Sequence, residues 1–410
     1  MAVSFSDIQA ASIMLDGIIN KTPIIADEKL SNAVGAKAFL KAECLQRAGS
    51  FKPRGAYNTI SRLSDEEKAR GVVTASAGNH AQGVALAARL NNIKAVIVVP
   101  EFAPLTKVLA TRAQGAEVIL HGDTFDAAVN YSRELQKEHG YTYVHAFDDE
   151  RVIAGQGTIG IEIAEDLPTA SVIVVPIGGG GVISGIAIAI NELLPSARVI
   201  GVQAANVASI NHSLKEGEPM EPVAYAPTIA DGIAVKRPGQ LTLPIIREFV
   251  DEVVEVTEDE IARGIYHCVT NSHLVVEGAG AAGVAALLAG KIKLAEDDVV
   301  CAVLCGGNID GTLLSRIIEQ VLVREGRYVI LKLLVNDRPG GLAALLNHVA
   351  ETGANVIEVQ HQRAIWLAPL GRVGIEMILE VRDETHAREV NKTLEDLGYH
   401  VIREHQGDWQ

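Results

Sequence analysis

Val172-Ile173-Val174-Val175-Pro176-Ile177-Gly178-Gly179-Gly180-Gly181-Val182 is the stretch on which the reading of the fold turns. Its first four residues are β-branched and offer no polar face, which is how a strand covered by helices on both sides reads. A run of glycines follows, and Val182–Leu194 then carries helical spacing. Strand, glycine turn and helix in that order make a βα unit. The alternation continues outward on both sides, from about residue 37 to residue 310. Apolar strand-like runs recur at Val96–Val99, Val118–Leu120, Val199–Val202 and Val299–Leu304, and Phe125–His139 is helical in pattern. A βαβα order predicts a mostly parallel twisted sheet. Ligands of such sheets bind beyond the carboxyl ends of the strands, in loops that open helices.

The character changes near Arg324-Glu325-Gly326-Arg327. From there the pattern predicts a strand over Val329–Val335, a helix over Leu342–Glu351, strands over Asn355–Arg363 and Val373–Val381, a helix over Glu384–Leu397 and a strand over His400–Arg403. That βαββαβ order is the ferredoxin-like arrangement, which folds alone at roughly this size. Two units are therefore expected, 1–324 and 325–410.

Composition narrows the class. Of 410 residues, 48% are hydrophobic, 21% charged and only 4% aromatic, so the cores must be built from Ala, Val, Ile and Leu. The formal charge of −15 disfavours nucleic acid and anionic lipid as partners. The start, MAVSFSDIQA, has neither a basic nor an apolar run, and no stretch is long enough to span a bilayer. Cys44, Cys268, Cys301 and Cys305 have no zinc spacing, and their small number suggests reduced thiols in the cytoplasm.

Four segments bear on chemistry. In Ser50-Phe51-Lys52-Pro53-Arg54-Gly55-Ala56, Pro53 pre-sets a helix start. Lys52 reads either as a solvated charge or as a desolvated amine able to attack a carbonyl. Val72 to His80 is a strand, a small-residue loop Ser76-Ala77-Gly78-Asn79 and a helix. The loop suits an anion at a helix N-terminus, or a plain cap at Ser76 or Asn79. Gly178–Gly181 allow a backbone nest around a phosphate, and four glycines carry an ordering cost that a plain turn does not require. Cys305-Gly306-Gly307-Asn308 ends a strand where a ligand is expected, although Cys305 alone reads as a buried inert thiol.

Together these segments resemble the fold-type II (tryptophan synthase β-like) pyridoxal-phosphate enzymes, and within them the threonine dehydratase family with a C-terminal ACT domain. The likeness rests on the joint order of S-F-K-P-R-G-A at 50–56, S-A-G-N-H-A-Q-G at 76–83, I-A-G-Q-G-T at 153–158, the tetraglycine at 178–181, A-D-G-I-A-V at 230–235 and C-G-G-N at 305–308. It implies two α/β lobes, the smaller inserted at roughly 50–150, followed by an ACT regulatory domain. It implies pyridoxal 5'-phosphate held covalently by Lys52 beside Phe51, with the phosphate on the N–H groups of Gly178, Gly179, Gly180, Gly181 and Val182. Asn79 would meet the ring hydroxyl and Cys305 the pyridine nitrogen. A near-neutral partner there leaves the ring a weaker electron sink, which suits elimination. The substrate carboxylate would lie on the loop Ser76, Ala77, Gly78, Asn79 and His80, and Lys52 would remove the Cα proton. The implied reaction turns L-threonine into 2-oxobutanoate and ammonia, and L-serine into pyruvate, in isoleucine biosynthesis or threonine catabolism. A serine or 3-hydroxyaspartate dehydratase is the alternative, and a non-catalytic amino-acid sensor a further one.

Departures from related proteins sharpen this. Related serine racemases carry a second serine where Ala77 stands, and alanine moves no proton, so racemisation is not expected. Relatives with a divalent-cation site carry carboxylates where Gln203 and Ser209 stand, so no metal is expected. Phe147 is placed near the threonine methyl, or in a core. Gly278-Ala279-Gly280-Ala281-Ala282-Gly283 matches a dinucleotide fingerprint with Asp297 and Asp298 downstream, but close helix packing accounts for it better. Glu277 is either near the cofactor or solvated. In the second unit, Asp337, Gly340, Gly341 and Asn355 are the candidates for binding a small amino-acid effector, isoleucine or valine, and ACT pairing implies a homo-oligomer, by family expectation a tetramer.

Overall fold

The computed structural model describes residues 3–362 and 369–403. The chain divides into Met1–Asp310 and Gly311–Gln410. This division falls ahead of the break expected at 325, because the Gly311–Arg324 helix goes with the second unit.

The first unit contains β1 (Ile24–Ala26), β2 (Lys37–Lys41), β3 (Val72–Ala75), β4 (Ala95–Val99), β5 (Glu117–Leu120), β6 (Thr142–Tyr143), β7 (Val172–Pro176), β8 (Arg198–Ala204), β9 (Glu252–Val256) and β10 (Val299–Val303). They form a six-stranded sheet, β1-β2-β10-β7-β8-β9, and a four-stranded sheet, β5-β4-β3-β6. Every pairing is parallel except β1 with β2. Every residue of β4 and β7 is buried, as their unbroken β-branched runs require. The smaller sheet is inserted between β2 and β7, so two sets of strand ends face a shared cleft.

Glycines let the helices around that cleft come close. A Cβ on Gly155 would stand 2.6 Å from the Gly55 Cα, and one on Gly185 would stand 2.5 Å from the Gly157 nitrogen. The segment Ile153 to Thr158 therefore draws the Lys52–Ser61, Glu150–Asp166 and Gly181–Leu193 helices together. The dinucleotide-like glycines lie inside the Gly278–Leu288 helix, where a Cβ on Gly280 would stand 2.4 Å from the Gly306 carbonyl oxygen. They serve helix packing.

The second unit adds β11 (Tyr328–Asn336), β12 (Asn355–Gln362), β13 (Arg372–Glu380) and β14 (His400–Arg403), with helices Gly341–Glu351 and Glu384–Asp396. The sheet order is β12-β13-β11-β14, antiparallel throughout. Val329, Leu331, Leu333 and Val335 are buried in strict alternation and pack with Leu345, Val349, Val390 and Leu394 from the helices. Arg363, expected to end the second strand, lies outside the described residues. No helix among the described residues is long and apolar enough to cross a membrane.

Candidate active site

Lys52 opens its helix at the carboxyl ends of both sheets. Three ties fix it there. The Phe51 N–H donates to the Cys305 carbonyl at 3.2 Å, and Ser50 pairs with Gly306. A Cβ on Gly83 would stand 3.0 Å from the Lys52 Cβ, so the second helix of the site packs directly on the lysine stem. Two residues on, Arg54 is fully buried and donates to both carboxylate oxygens of Glu43, at 2.9 and 2.8 Å, and to both of Glu162, at 2.6 and 2.9 Å. Lys41 joins the same network through Glu162 at 2.5 Å. Each buried charge thus has a partner, without which burial would be prohibitive.

The Lys52 side chain reaches a cavity of about 900 Å³. Its Nζ donates to the Ala146 carbonyl at 3.0 Å, an acceptor with no charge to stabilise an ammonium. Burial pushes the amine down to about 8, against a partial opposing pull from Glu277. The solvated-charge reading of Lys52 is therefore set aside.

Two backbone loops face the amine across this cavity. In the first, the Asn79–Leu90 helix has Gly78 at its cap position and no side-chain cap, so neither Ser76 nor Asn79 is used that way. The Ser76 N–H already donates to Val98 and the Gly78 N–H to Ser76 Oγ. The N–H groups of Ala77 and Asn79 have no acceptor among the described residues. His80 turns its ring away: Nε2 meets the Val144 carbonyl at 3.0 Å and Thr74 Oγ1 at 3.1 Å, and burial pushes it down to about 3. The imidazole is neutral and structural.

In the second loop, Gly178, Gly179 and Gly180 have N–H groups with no acceptor among the described residues, and Gly181 and Val182 begin the next helix. Glycine is required here by crowding. A Cβ on Gly179 would lie 2.4 Å from the Phe147 ring, and one on Gly181 would lie 2.9 Å from the Phe147 Cα. Phe147, expected beside a substrate methyl or in a core, lies against the glycine loop and lines the cavity.

Opposite the amine, Asn308 Nδ2 donates to Asn79 Oδ1 at 2.8 Å, and Asn79 Nδ2 donates to Glu277 Oε1 at 2.6 Å. An amide nitrogen carries two hydrogens, so Asn79 keeps one. Glu277 is buried rather than solvated; burial first, then the charge of Asp231, pushes its carboxyl up to about 7. Cys305 lines the same wall, and burial pushes its thiol far up, so it stays protonated. All four cysteines are buried and free. At the mouth, Lys107 pairs with Asp231, and Lys236 with Asp126 at 3.3 Å, joining the two lobes.

Sequence reasoning missed Ala146, whose contribution is a carbonyl that any residue has. It also gave no role to Asn308, although the motif containing it was noted. Gln203 Oε1 accepts from the Ile210 N–H at 2.9 Å, while Gln203 Nε2 and Ser209 Oγ are buried with no partner among the described residues. No group of three His, Cys, Asp or Glu suited to a metal occurs among the described residues. In the second unit, a cavity of about 670 Å³ is lined by Asp337, Gly340 and His361 among others. Gly341 and Asn355 are not on its lining; the Gly341 N–H donates to Arg338, and Asn355 donates to Glu380 at 3.3 Å.

The family model for pyridoxal-phosphate dependent enzymes matches residues 15–306. The chain belongs to that family. Among the curated relatives of this pyridoxal-phosphate enzyme is an L-threonine ammonia-lyase of Thermotoga maritima, 49% identical over 399 residues, covering 97% of this chain and 99% of that protein. Among solved structures, the processed form of threonine deaminase isoform 2 from Solanum lycopersicum matches with a TM-score of 0.73 and 39% identity, over 78% of this chain and 87% of that one. Maize serine racemase matches with a TM-score of 0.74 and 34% identity, over 79% of this chain and 99% of that one.

The residues present fit pyridoxal phosphate. Three orphaned glycine N–H groups suit a phosphate, a lysine pushed towards neutrality suits an aldehyde, and a protonated thiol suits a ring nitrogen that stays uncharged.

Proposed function

We propose that this chain deaminates L-threonine to 2-oxobutanoate and ammonia by β-elimination of water, and L-serine to pyruvate more slowly. The observation that carries the reading is the Lys52 amine, set in the cavity against the Ala146 carbonyl between two loops whose N–H donors have no acceptor among the described residues. Pyridoxal phosphate, when bound, supplies the aldehyde carbon and a conjugated ring that takes up the electron pair left at Cα. Gly178, Gly179, Gly180, Gly181 and Val182 would hold its phosphate, Asn79 its ring hydroxyl through the remaining amide hydrogen, and Cys305 its ring nitrogen. The N–H groups of Ala77 and Asn79 would orient the substrate carboxylate. Lys52, within the same cavity, would take the Cα proton. Ala77 carries no proton, so nothing in that loop would return one from the opposite face, and racemisation is not part of the reading. The relative from Thermotoga maritima and the Solanum deaminase support threonine as substrate. The test is kcat/KM on L-threonine, L-serine and 3-hydroxyaspartate, with keto acid measured; threonine is expected to lead, and equal or better turnover of either competitor contradicts it.

The second unit is read as an ACT regulatory domain, on the strength of its βαββαβ order and sheet order. Its cavity at Asp337 and Gly340 would take a branched-chain amino acid as effector, in a cytoplasmic homo-oligomer. Titration calorimetry with isoleucine and valine checks this; no heat with either counts against it.

A further inference from the structure

We propose that the Thr242 hydroxyl aims the glycine-loop N–H groups at the cofactor phosphate, a positioning role that rests on the reading of that loop given above. Thr242 is fully buried and begins the Thr242–Phe249 helix. Its Oγ1 donates to the Gly179 carbonyl oxygen at 2.7 Å and accepts from the Gly239 N–H at 3.0 Å. The Gly239 N–H also reaches the Gly179 carbonyl, at 3.1 Å. Two donors therefore hold one carbonyl.

The consequence follows from peptide geometry. The chain has no cis peptide bond among the described residues. In a planar trans peptide, the carbonyl of one residue and the N–H of the next point in opposite directions. Holding the Gly179 carbonyl against Thr242 turns the Gly180 N–H the other way, to the side where the loop lines the cavity. Gly180 completes the turn with φ +97°, and a Cβ there would lie 2.7 Å from Thr242 Oγ1. Hydroxyl and glycine are fitted to each other.

Asp148 holds the clamp in place. Its carboxylate accepts from the N–H groups of Gln240 at 3.0 Å and Leu241 at 2.8 Å, fixing the turn between Gly239 and Thr242. Asp148 follows Phe147, whose ring lies against Gly179, so one short segment supports the loop and braces its clamp. If Thr242 only filled space, valine would serve as well, since it replaces the hydroxyl with a methyl of similar size.

The test uses the full chain with Thr242→Val and Thr242→Ser, stripped of cofactor and titrated with pyridoxal phosphate. Affinity is read by absorbance, and the environment of the bound phosphate by its ³¹P resonance. Thr242→Val is expected to weaken binding up to about tenfold, the upper range for one hydrogen bond, and to shift the resonance. Thr242→Ser should restore both. Wild-type affinity and an unmoved resonance in Thr242→Val overturn the proposal. Should Thr242→Val not fold, Thr242→Cys, of similar volume but a weak donor, takes its place under the same two criteria. A wild-type chain that binds no pyridoxal phosphate overturns the reading of the site itself, whereas tight wild-type binding with an unaffected variant overturns the clamp alone.

Discussion

Lys52 Nζ donates to the carbonyl oxygen of Ala146 at 3.0 Å, so the hydrogen bond that holds the amine in place does not hold its charge. Burial lowers the amine to about 8. At pH 7 about a tenth of it is then neutral, against well under a thousandth for an ordinary lysine. The rate at which the cofactor-free protein captures pyridoxal phosphate should rise nearly tenfold between pH 6 and pH 7 and level off above about 8. Stopped-flow absorbance checks this; a rate still climbing to pH 10 contradicts it.

Glu277 should make the cofactor-free protein less stable as pH rises. Its carboxyl stands near 7 when folded and 4.5 when not. Below 4.5 it is protonated in both states and imposes no penalty. Between those values the folded state keeps a proton that the unfolded chain releases, so stability falls through this window, by roughly 3 kcal/mol in all, and stays lowered above it. Glu277→Gln retains an acceptor for Asn79 and should flatten that limb. Urea unfolding at pH 5 and pH 8 measures it, and equal slopes in both proteins count against the assignment.

Arg54→Met should destabilise the fold by about 3–5 kcal/mol, because it leaves Glu43 buried without its guanidinium. Glu43 is fully buried, and the Arg54 charge is what brings its carboxyl below the usual range despite burial. Adding Glu43→Gln should recover part of the loss. A double-mutant cycle reads the coupling; additive losses contradict it.

Gly179→Ala should impair cofactor retention through Phe147, whose ring would meet the new methyl at 2.4 Å. Phe147→Val in the same chain should relieve the clash. Cofactor retained through gel filtration is the measure, and no recovery in the double variant means that the loop itself, not the ring, resists the methyl.

Much of the fold is legible in the sequence because each buried parallel strand is an unbroken apolar run. The expected helix at Phe125–His139 and the strand Val172–Val175 fall where the structure has them. The structure brings Lys52 and the glycine loop to one cavity; four glycines after a strand have few other uses, whereas Lys52 by itself reads two ways. What stayed hidden is what side chains do across long separations. Thr242 lies 63 residues from Gly179, and no local pattern links them. For Glu277 the sequence leaves both the cofactor and solvent open, because burial of a charge depends on partners that the chain brings from elsewhere. In the second unit, Asn355 starts β12 as expected but donates to Glu380, while His361 reaches the cavity from the same strand. Strand register decides which, and local composition does not encode it.

The most direct test of the site is borohydride reduction of the protein loaded with pyridoxal phosphate, followed by peptide mapping. A single pyridoxyl group on Lys52, lost together with the colour in Lys52→Ala, is the expected result. A pyridoxyl group on another lysine, or colour that persists in Lys52→Ala, contradicts it.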